Sequence, residues 1–255
     1  MFDEGLRFVL GPVAGAILPE MLLDQGRVRS SSGPSPDTMD LRGKRVVWAS
    51  ETSQGAKLDS ARAKLLSGGD ELVGRWPHSK RPIHFKPTHT IFMLTNRKPY
   101  APADDYALWR RLHLIPFSLS FVDDPIAPFE RQRDPELINK LSQERPGILR
   151  WLVNGCLEWQ RWGLKPPASV TEATQEYRND EDIIGHFLEE RCFQAEHSKT
   201  KAADLYEAYC EWAKGNGYRA ISAKSFGSQI GKDHGRIKTH GITWYKGLEL
   251  SAPEE

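Results

Sequence analysis

Hydrophobic positions along this chain form short apolar runs that alternate with helical repeats. Leu41 to Trp48 predicts a strand entering a core, and the apolar residues continue as far as the acid Glu51. A helix is predicted from about Leu58 to Leu66, where apolar residues have helical spacing ahead of a glycine pair. Phe85 to Thr95 and Leu112 to Phe117 predict two further strands. Strands that alternate with helices are typical of an α/β fold.

Helical patterns flank this region on both sides. Residues 1 to 25 predict a helical stretch, and Arg29 to Thr38, rich in serine and proline, predicts a loop. Asp134-Pro135 and Arg145-Pro146 each place a proline where a helix begins, and the apolar pattern then continues from Ile148 to Trp162. Two helices are therefore expected to close a first domain.

The remainder of the chain predicts a second, smaller domain. The Pro166-Pro167 pair and the polar residues after it predict a linker helix over residues 166–181, between a first domain at 1–165 and a second at 182–250. Three helices and a strand pair that turns at His240-Gly241 are expected in the second domain, in an order that matches a winged helix. These elements are Ile183 to Cys192, Lys201 to Asn216, Ser222 to Asp233 and Arg236 to Leu248.

The composition is that of an ordinary folded protein. Of the 255 residues 39% are hydrophobic and 27% are charged, and the formal net charge is +1. No run approaches the roughly 18 apolar residues of a membrane span, and the acidic start is unlike a signal peptide, so we expect a cytoplasmic protein without membrane contact. Cys156, Cys192 and Cys210 have neither a disulfide nor a zinc-site pattern and are expected to be buried, reduced thiols.

Polar residues suited to nucleotide hydrolysis follow the predicted strands. Glu51 ends one hydrophobic strand, where a carboxylate can hold magnesium or orient the attacking water. Asn96 ends the next strand and can hold the same water or the terminal phosphate if the two strands are neighbours. Arg110 and Arg111 precede a third strand, from which a guanidinium can reach the phosphate of an adjoining subunit. The simpler alternatives are a solvated acid, a turn-starting asparagine and a solvated basic pair.

Basic residues are concentrated in two parts of the chain. Residues 57–98 hold nine lysines and arginines against three acids, and residues 214–248 hold seven against one. Such an excess favours contact with nucleic-acid phosphates, although a solvated surface is the alternative for any single residue and protein binding is the alternative for the second cluster. The second-cluster residues expected to contact duplex or junction DNA lie on the last helix and the wing. They are Lys224, Gln229, Lys232 and Lys238.

In their order these residues resemble the superfamily 3 helicases, specifically the helicase half of the phage and plasmid primase-helicases related to the poxvirus primase-helicase. The resemblance extends from Met1 to about Leu248. The matching runs are Val46 to Thr52, Lys64 to Asp70, Arg75, Phe85 to His89, Leu94 to Pro99 and Trp109 to Phe117.

The resemblance implies a partial AAA+-like P-loop NTPase core over residues 1–165, part of a hexameric ring that couples ATP hydrolysis to DNA unwinding in replication. It implies that Glu51 is the Walker B acid and magnesium ligand, that Asn96 is the sensor of ATP, and that Arg110 or Arg111 is the arginine finger. It also implies a hairpin that meets single-stranded DNA inside the ring. The hairpin residues are Arg75, His78, Lys80 and Arg81.

The chain departs from this family at the phosphate loop. It contains no Gly-Lys-Ser or Gly-Lys-Thr, because Gly43-Lys44 precedes Arg45 and Gly231-Lys232 precedes Asp233. Met1 to Leu10 resembles the helix that follows this loop in the family, so the chain is expected to begin just after it. The prediction is a truncated helicase that neither binds ATP and Mg²⁺ tightly nor hydrolyses ATP alone.

Two alternatives stay open. The first is a non-enzymatic DNA-binding protein that acts through residues 182–248, with the rest of the chain as a scaffold. The second is an ATPase of another class that takes its phosphate contacts from a partner or from an unrecognised loop near Gly11 to Gly15, although this stretch lacks a lysine.

Overall fold

The computed structural model describes residues 2–26, 33–50 and 55–251, and the chain divides into two compact units. The N-terminal unit comprises Met1–Arg178 and the C-terminal unit Asn179–Glu255. Both combine helices with small sheets, so the mixed α/β class expected from the sequence is confirmed. In the part of the chain that the structure describes, no helix is long and apolar enough to cross a membrane.

The elements of the N-terminal unit are short except for two helices near its end. Its helices are α1 (Phe2–Leu10), α2 (Pro36–Met39), α3 (Ser60–Ser67), α4 (Tyr106–Trp109), α5 (Leu137–Gln143), α6 (Arg145–Trp162) and α7 (Ala168–Asp180). Its strands are β1 (Ala14–Ala16), β2 (Val46–Ser50), β3 (Leu72–Gly74), β4 (Ile83–Phe85), β5 (Thr90–Leu94), β6 (Ser120–Val122) and β7 (Glu130–Gln132).

A parallel sheet in the order β1-β2-β5 organises the first core. Its middle strand, β2, buries Val47, Trp48 and Ala49, as expected for a parallel strand covered on both faces. Beside the sheet, α3 begins at Asp59, whose carboxylate accepts a hydrogen bond from the backbone N–H of Arg62 at 3.0 Å. The residues of this core are Met21, Leu22, Leu41, Val47, Ala49, Leu66 and Leu72.

A second core joins α4 to α7. The rings of Trp109 and Tyr177 meet edge to face with centroids 5.1 Å apart, and the Tyr177 hydroxyl donates to the backbone oxygen of Pro99. The guanidinium of Arg178 donates to the backbone oxygen of Ala103 at 3.0 Å. These contacts hold α7 against the loop that follows β5. The buried residues here are Leu23, Leu58, Ala101, Leu108, Trp109 and Tyr177.

The loop of residues 75–82 connects β3 to β4, which pair antiparallel, so the predicted hairpin is confirmed. Gly74 ends β3 where the chain passes close to α2. A Cβ at this position would lie 2.7 Å from the Sδ atom of Met39, so a larger residue would require the Met39 side chain to shift.

The prediction of a strand from Leu112 to Phe117 is wrong. This segment forms no strand, because its backbone bonds to a helix side chain instead of a neighbouring strand. The backbone N–H of Leu114 donates to Oγ1 of Thr174 on α7 at 2.9 Å, and the side chains of Leu112 and Leu114 pack against the second core.

Other strand predictions need new boundaries. The stretch Phe85 to Thr95 contains the end of β4 and then β5, separated by a segment with Pro87, which cannot donate to a strand ladder. The strand predicted from Leu41 begins only at Val46. β1 was not predicted, because Ala14 to Ala16 lies within the stretch expected to be helical.

Helices α5 and α6 are confirmed at the predicted places, but neither has a buried residue. Trp151 on α6 is 72% exposed, and in the segment before these helices Phe117 and Ile126 are 87% and 94% exposed. Both helices belong to the N-terminal unit, and neither contributes a buried side chain to its cores. Cys156 on α6 is exposed, so the prediction of a buried thiol is wrong there.

The C-terminal unit follows the predicted order of helices and adds a strand that was not predicted. Its elements are α8 (Ile183–Arg191), β8 (Cys192–Lys201), α9 (Ala202–Gly215), α10 (Ala223–Asp233), β9 (Arg236–Thr239) and β10 (Ile242–Leu250), with the strands in the order β8-β10-β9. The turn at His240-Gly241 is confirmed. Both residues have positive φ, 52° and 80°, as a two-residue hairpin turn requires.

Aromatic rings fill the core of this unit. Phe187 is fully buried, with ring centroids 5.5 Å from Tyr209, 5.8 Å from Trp212 and 6.2 Å from Phe226. Tyr209 and Phe226 stack at 4.7 Å. Cys192 lies at the margin of this core, and burial raises the pKa of its thiol to about 11.

Candidate nucleotide site and nucleic-acid interface

The predicted nucleotide residues follow the two strands that end at one edge of the parallel sheet. β2 and β5 are parallel neighbours, and their last residues, Ser50 and Leu94, are register partners. The carboxyl ends of neighbouring parallel strands are where α/β proteins commonly bind ligands. Glu51 follows Ser50 in the sequence but lies outside the described residues, so its role as acid and magnesium ligand stays a prediction.

Asn96 lies in an exposed bend two residues beyond β5. The Thr95 hydroxyl donates to the backbone oxygen of Arg97 at 2.7 Å, and the same hydroxyl oxygen accepts from the backbone N–H of Arg97 at 3.2 Å. These bonds turn the chain immediately after the strand. Asn96 is exposed, and its amide is chemically able to hold a water molecule or a phosphate oxygen. Its sensor role stays a prediction.

The paired arginines differ in their surroundings. Arg110 is exposed, and no hydrogen bond or ion pair joins its side chain to the described residues. Arg111 is half-buried, and its guanidinium donates to the backbone oxygen of Ala107 at 2.5 Å. Arg111 therefore satisfies the end of α4. Of the two, Arg110 is the guanidinium that can reach a ligand.

Lys64 fixes the start of α4. Its Nζ lies 2.6 Å from Oδ2 of Asp105, and Oδ1 of the same carboxylate caps α4 by accepting from the backbone N–H of Leu108 at 3.1 Å. Burial raises the pKa of Asp105, but the hydrogen bonds from Lys64 and Leu108 outweigh it, so the pKa lies below its ordinary value. This ion pair connects α3 to the short helix that precedes Arg110.

The described residues alone do not form a cradle for a triphosphate. Gly11 to Gly15 leads into β1, whereas a phosphate loop follows a strand and opens a helix. A cavity of about 430 Å³ beside β1 is lined in part by Arg7 and Lys44, but Nζ of Lys44 donates to the backbone oxygen of Pro12 at 2.8 Å. Among the described side chains no three His, Cys, Asp or Glu residues come together as a metal site.

The hairpin between β3 and β4 exposes most of its predicted DNA-binding residues. His78, in the left-handed region with φ 62°, is exposed at the tip together with Lys80 and Arg81. Arg75 differs, because its guanidinium donates to the backbone oxygen of Ser79 at 2.9 Å and so braces the loop. Sequence reasoning missed Trp76, which is exposed beside these cations. An aromatic residue next to basic ones in a turn was the available signal.

Predicted DNA-binding residues also lie on one side of α10. Lys224 and Lys232 are exposed and Gln229 is half-buried, whereas Phe226 and Ile230 on the opposite side are buried in the core. Helical periodicity thus separates the two sets, and the DNA-binding role of the exposed residues stays a prediction.

The sheet of the C-terminal unit holds further cations. Lys238 is exposed on β9, as predicted for the wing. Lys199 and Lys201 on β8, both close to the ring of Trp244 on β10, were not predicted. They were missed because β8 is mostly polar and was not recognised as a strand.

Comparison with known proteins relates the chain to proteins of large DNA viruses. No family model matches it. It is 29% identical over 225 residues to a mimivirus protein named "Putative helicase L207/L206", with 84% of this chain covered. It is 26% identical over 202 residues to "Putative helicase 022R" of Frog virus 3 and 24% identical over 214 residues to "Putative helicase 184R" of Invertebrate iridescent virus 6.

The likeness covers most of this chain but little of each relative. The chain spans 23% of the mimivirus protein, 21% of the Frog virus 3 protein and 20% of the iridescent virus protein. These relatives support a relationship to viral proteins named as helicases.

Proposed function

We propose that this chain is the carboxyl-terminal part of a superfamily 3 DNA helicase of the primase-helicase type, which couples ATP hydrolysis to DNA unwinding in replication. Its N-terminal unit supplies the acid Glu51, the sensor Asn96 and the finger Arg110 to the nucleotide site of a hexameric ring. Because the 255 residues contain no phosphate loop, the proposal includes no ATP hydrolysis by these residues alone.

The observation that carries this proposal is the parallel pairing of β2 with β5. The two strands that precede Glu51 and Asn96 are separated by more than 35 residues in the sequence and yet are direct neighbours with aligned ends. A solvated acid and an unrelated turn asparagine give no reason for that alignment. The likeness to viral proteins named as helicases supports the same interpretation.

Each proposed nucleotide residue has a role that its chemistry fits. ATP bound with Mg²⁺ would supply the phosphoryl group, and the Glu51 carboxylate would hold the metal or orient the attacking water. The Asn96 amide would fix that water from the neighbouring strand end. The Arg110 guanidinium, unlike that of Arg111, is available to stabilise negative charge on the phosphate of an adjoining subunit.

Contact with DNA is assigned to two surfaces. The exposed hairpin side chains of His78, Lys80 and Arg81 face single-stranded DNA in the ring, while Arg75 keeps the hairpin in shape. In the C-terminal unit, the order of helices and strands and the exposed Lys224 and Lys232 support a winged helix that contacts duplex DNA.

A second candidate function is a non-enzymatic DNA-binding protein. The observation in its favour is that the C-terminal unit has its own aromatic core and its own basic surface. This candidate predicts DNA binding that depends on salt and is indifferent to nucleotide.

ATP hydrolysis tests the proposal directly. We would measure the rate, with and without single-stranded DNA, for the chain as given and for the chain extended by the coding sequence that precedes Met1 in its genome. The proposal expects hydrolysis in the extended chain only. In that background Glu51→Gln and Arg110→Ala should each lower the rate by a factor of about 10³ or more.

Arg150→Ala is the matched control, since Arg150 is an exposed arginine of the same unit. It should leave the rate unchanged, and Arg111→Ala should act mainly on stability. Robust hydrolysis by the short chain, or an extended chain insensitive to Glu51→Gln, would contradict the proposal. DNA binding without hydrolysis in either chain would favour the second candidate.

A further inference from the structure

The sheet of the C-terminal unit has one face against its helices and, among the residues that the structure describes, one face without them. Tyr245 and Leu248 of β10 are buried on the helix side, where the Tyr245 hydroxyl donates to the backbone oxygen of Gly227 on α10 at 3.3 Å. Successive side chains of a strand point to opposite faces. Trp244 and Lys246, on either side of Tyr245, therefore belong to the other face, which we call the outer face.

Strand pairing places two more lysines there. Trp244 is the register partner of Lys201, and Lys246 is the register partner of Lys199. Directly paired residues of an antiparallel ladder project from the same side of the sheet. The outer face thus combines Lys199, Lys201 and Lys246 around one tryptophan.

The tryptophan holds two of these cations close together. Nζ of Lys199 lies 4.9 Å from the centroid of the Trp244 ring, and Nζ of Lys201 lies 5.7 Å from it. The ring attracts both ammonium groups, which would otherwise repel each other. Both lysines are exposed, and no ion pair joins them to the described side chains. Two ordered positive charges at the surface are suited to bind phosphate groups.

The one described acid on this face is already engaged. Glu249 pairs in register with Phe193, and its carboxylate accepts a hydrogen bond from the Ser198 hydroxyl at 2.8 Å. Phe193, on the same side of the sheet, is 55% exposed. The outer face therefore offers an accessible aromatic ring in addition to its lysines.

We propose that this outer face binds single-stranded nucleic acid, with Lys199, Lys201 and Lys246 on the phosphates and Phe193 stacking against a base. Lysines interspersed with an exposed aromatic ring fit a single strand, whose bases are free to stack, better than a duplex, whose base faces are covered. An acidic peptide would match the charge but would leave the exposed ring without a partner. The inference rests on the proposed function in that both concern DNA, but it names a surface different from the hairpin between β3 and β4 and from the exposed side of α10.

The test is binding of a fluorescein-labelled 20-nucleotide oligothymidine and of a 20-base-pair duplex, followed by fluorescence anisotropy over a range of salt concentrations. Lys199→Gln/Lys201→Gln should raise the Kd for the single strand by at least about tenfold. It should also make the slope of log K against log salt shallower by about 1.4, the value for two lost phosphate contacts on a single strand. Phe193→Ala should raise the same Kd about tenfold through lost stacking.

The matched control is Lys165→Gln/Arg150→Gln, which removes two exposed charges outside both basic clusters. Like Lys199 and Lys201, Lys165 lies over a tryptophan, with its Nζ 5.4 Å from the centroid of the Trp162 ring. This control should leave single-strand binding within about twofold of the unchanged protein, since surface charges away from the contact do not add to the counterion term. Thermal unfolding would establish that each variant is folded.

Two outcomes would overturn the inference. One is a control that weakens single-strand binding as much as Lys199→Gln/Lys201→Gln. The other is loss of duplex binding in parallel with single-strand binding. If duplex binding depends on Lys224 and Lys232 while Lys199 and Lys201 have no effect on either form, the inference fails and the proposed function stands.

Discussion

The helices of the C-terminal unit and α6 of the N-terminal unit use their aromatic residues in opposite ways. In the C-terminal unit Phe187, Tyr209 and Phe226 converge from three helices and are buried against one another. In the N-terminal unit, α6 carries Trp151 and Trp162, and both are mostly exposed. Periodicity of apolar residues predicted helices in both units, and those helices are present. Periodicity alone does not predict how deeply the apolar side of a helix is buried: α8, α9 and α10 bury theirs, whereas α6 has no buried residue.

The largest effect should come from removing the centre of the C-terminal core. Phe187→Ala is expected to lower the free energy of unfolding of this unit by about 3–5 kcal/mol, because the ring leaves a cavity among three other aromatic side chains. Urea unfolding followed by circular dichroism would measure it. Phe129→Ala is the matched control in the N-terminal unit, where Phe129 is 55% exposed. Similar losses in the two variants would refute the contrast between the units.

Substitution of Gly74 tests how tightly β3 packs against α2 in the N-terminal unit. Gly74→Ala is expected to lower the free energy of unfolding by about 1–3 kcal/mol, because the new Cβ would lie 2.7 Å from the Sδ atom of Met39. Gly69→Ala, where no atom lies within 4 Å of the added carbon, should change stability by less than about 0.5 kcal/mol. Thermal unfolding of both variants gives the comparison. Equal midpoints would mean that the contact between β3 and α2 is loose.

The ion pair between Lys64 and Asp105 predicts a smaller effect that depends on pH. Asp105→Asn keeps a side chain that can cap α4 but removes the negative charge. At neutral pH it should therefore lower the free energy of unfolding by about 0.5–1 kcal/mol. The pKa of Asp105 is lowered in the folded protein, so its contribution is fully present above the pKa of the unfolded chain, near 4, and disappears as the pH falls through the lower, folded pKa. Urea unfolding between pH 2 and pH 7 checks this. If the difference in unfolding free energy between Asp105→Asn and the unchanged protein does not shrink in acid, Asp105 does not stabilise the fold through its charge.

The smallest effect should follow substitution on the exposed helix. Trp151→Ser is expected to change the free energy of unfolding by less than about 0.5 kcal/mol, because the side chain is 72% exposed. The same change should reduce binding of an apolar fluorescent dye, which reports exposed hydrophobic surface. A loss of several kcal/mol instead would mean that α6 belongs to a packed core.

Much of the fold follows from local sequence signals. Asp59, Asp182 and Ser222 each cap the helix that begins next to them, and the His240-Gly241 turn joins β9 to β10, since these features depend on neighbours in the sequence. Prediction from the sequence failed where a residue distant in the sequence determines the local structure. The segment from Leu112 is apolar enough for a strand, but Thr174 satisfies its backbone, and no local pattern reveals that.

The order of the candidate site residues along the chain was predictable from the sequence, but the contacts of their side chains were not. The hydrophobic runs before Glu51 and Asn96 indicated two strand ends, and the pairing of β2 with β5 confirms that these strands are neighbours. The difference between Arg110 and Arg111 was not predictable, because it depends on which guanidinium folds back to the carbonyl of Ala107. The roles of these residues stay predictions.

The position of β5 at the border of its sheet has a consequence for handling the protein in solution. Within the described residues no strand pairs with its outer side, and the strand is the apolar sequence Thr90–Leu94. An apolar strand at the border of a sheet is a place where another chain can add a strand of its own. Concentrated samples should therefore form β-rich assemblies over time, and Thr90→Lys, at an exposed position of this strand, should slow their growth.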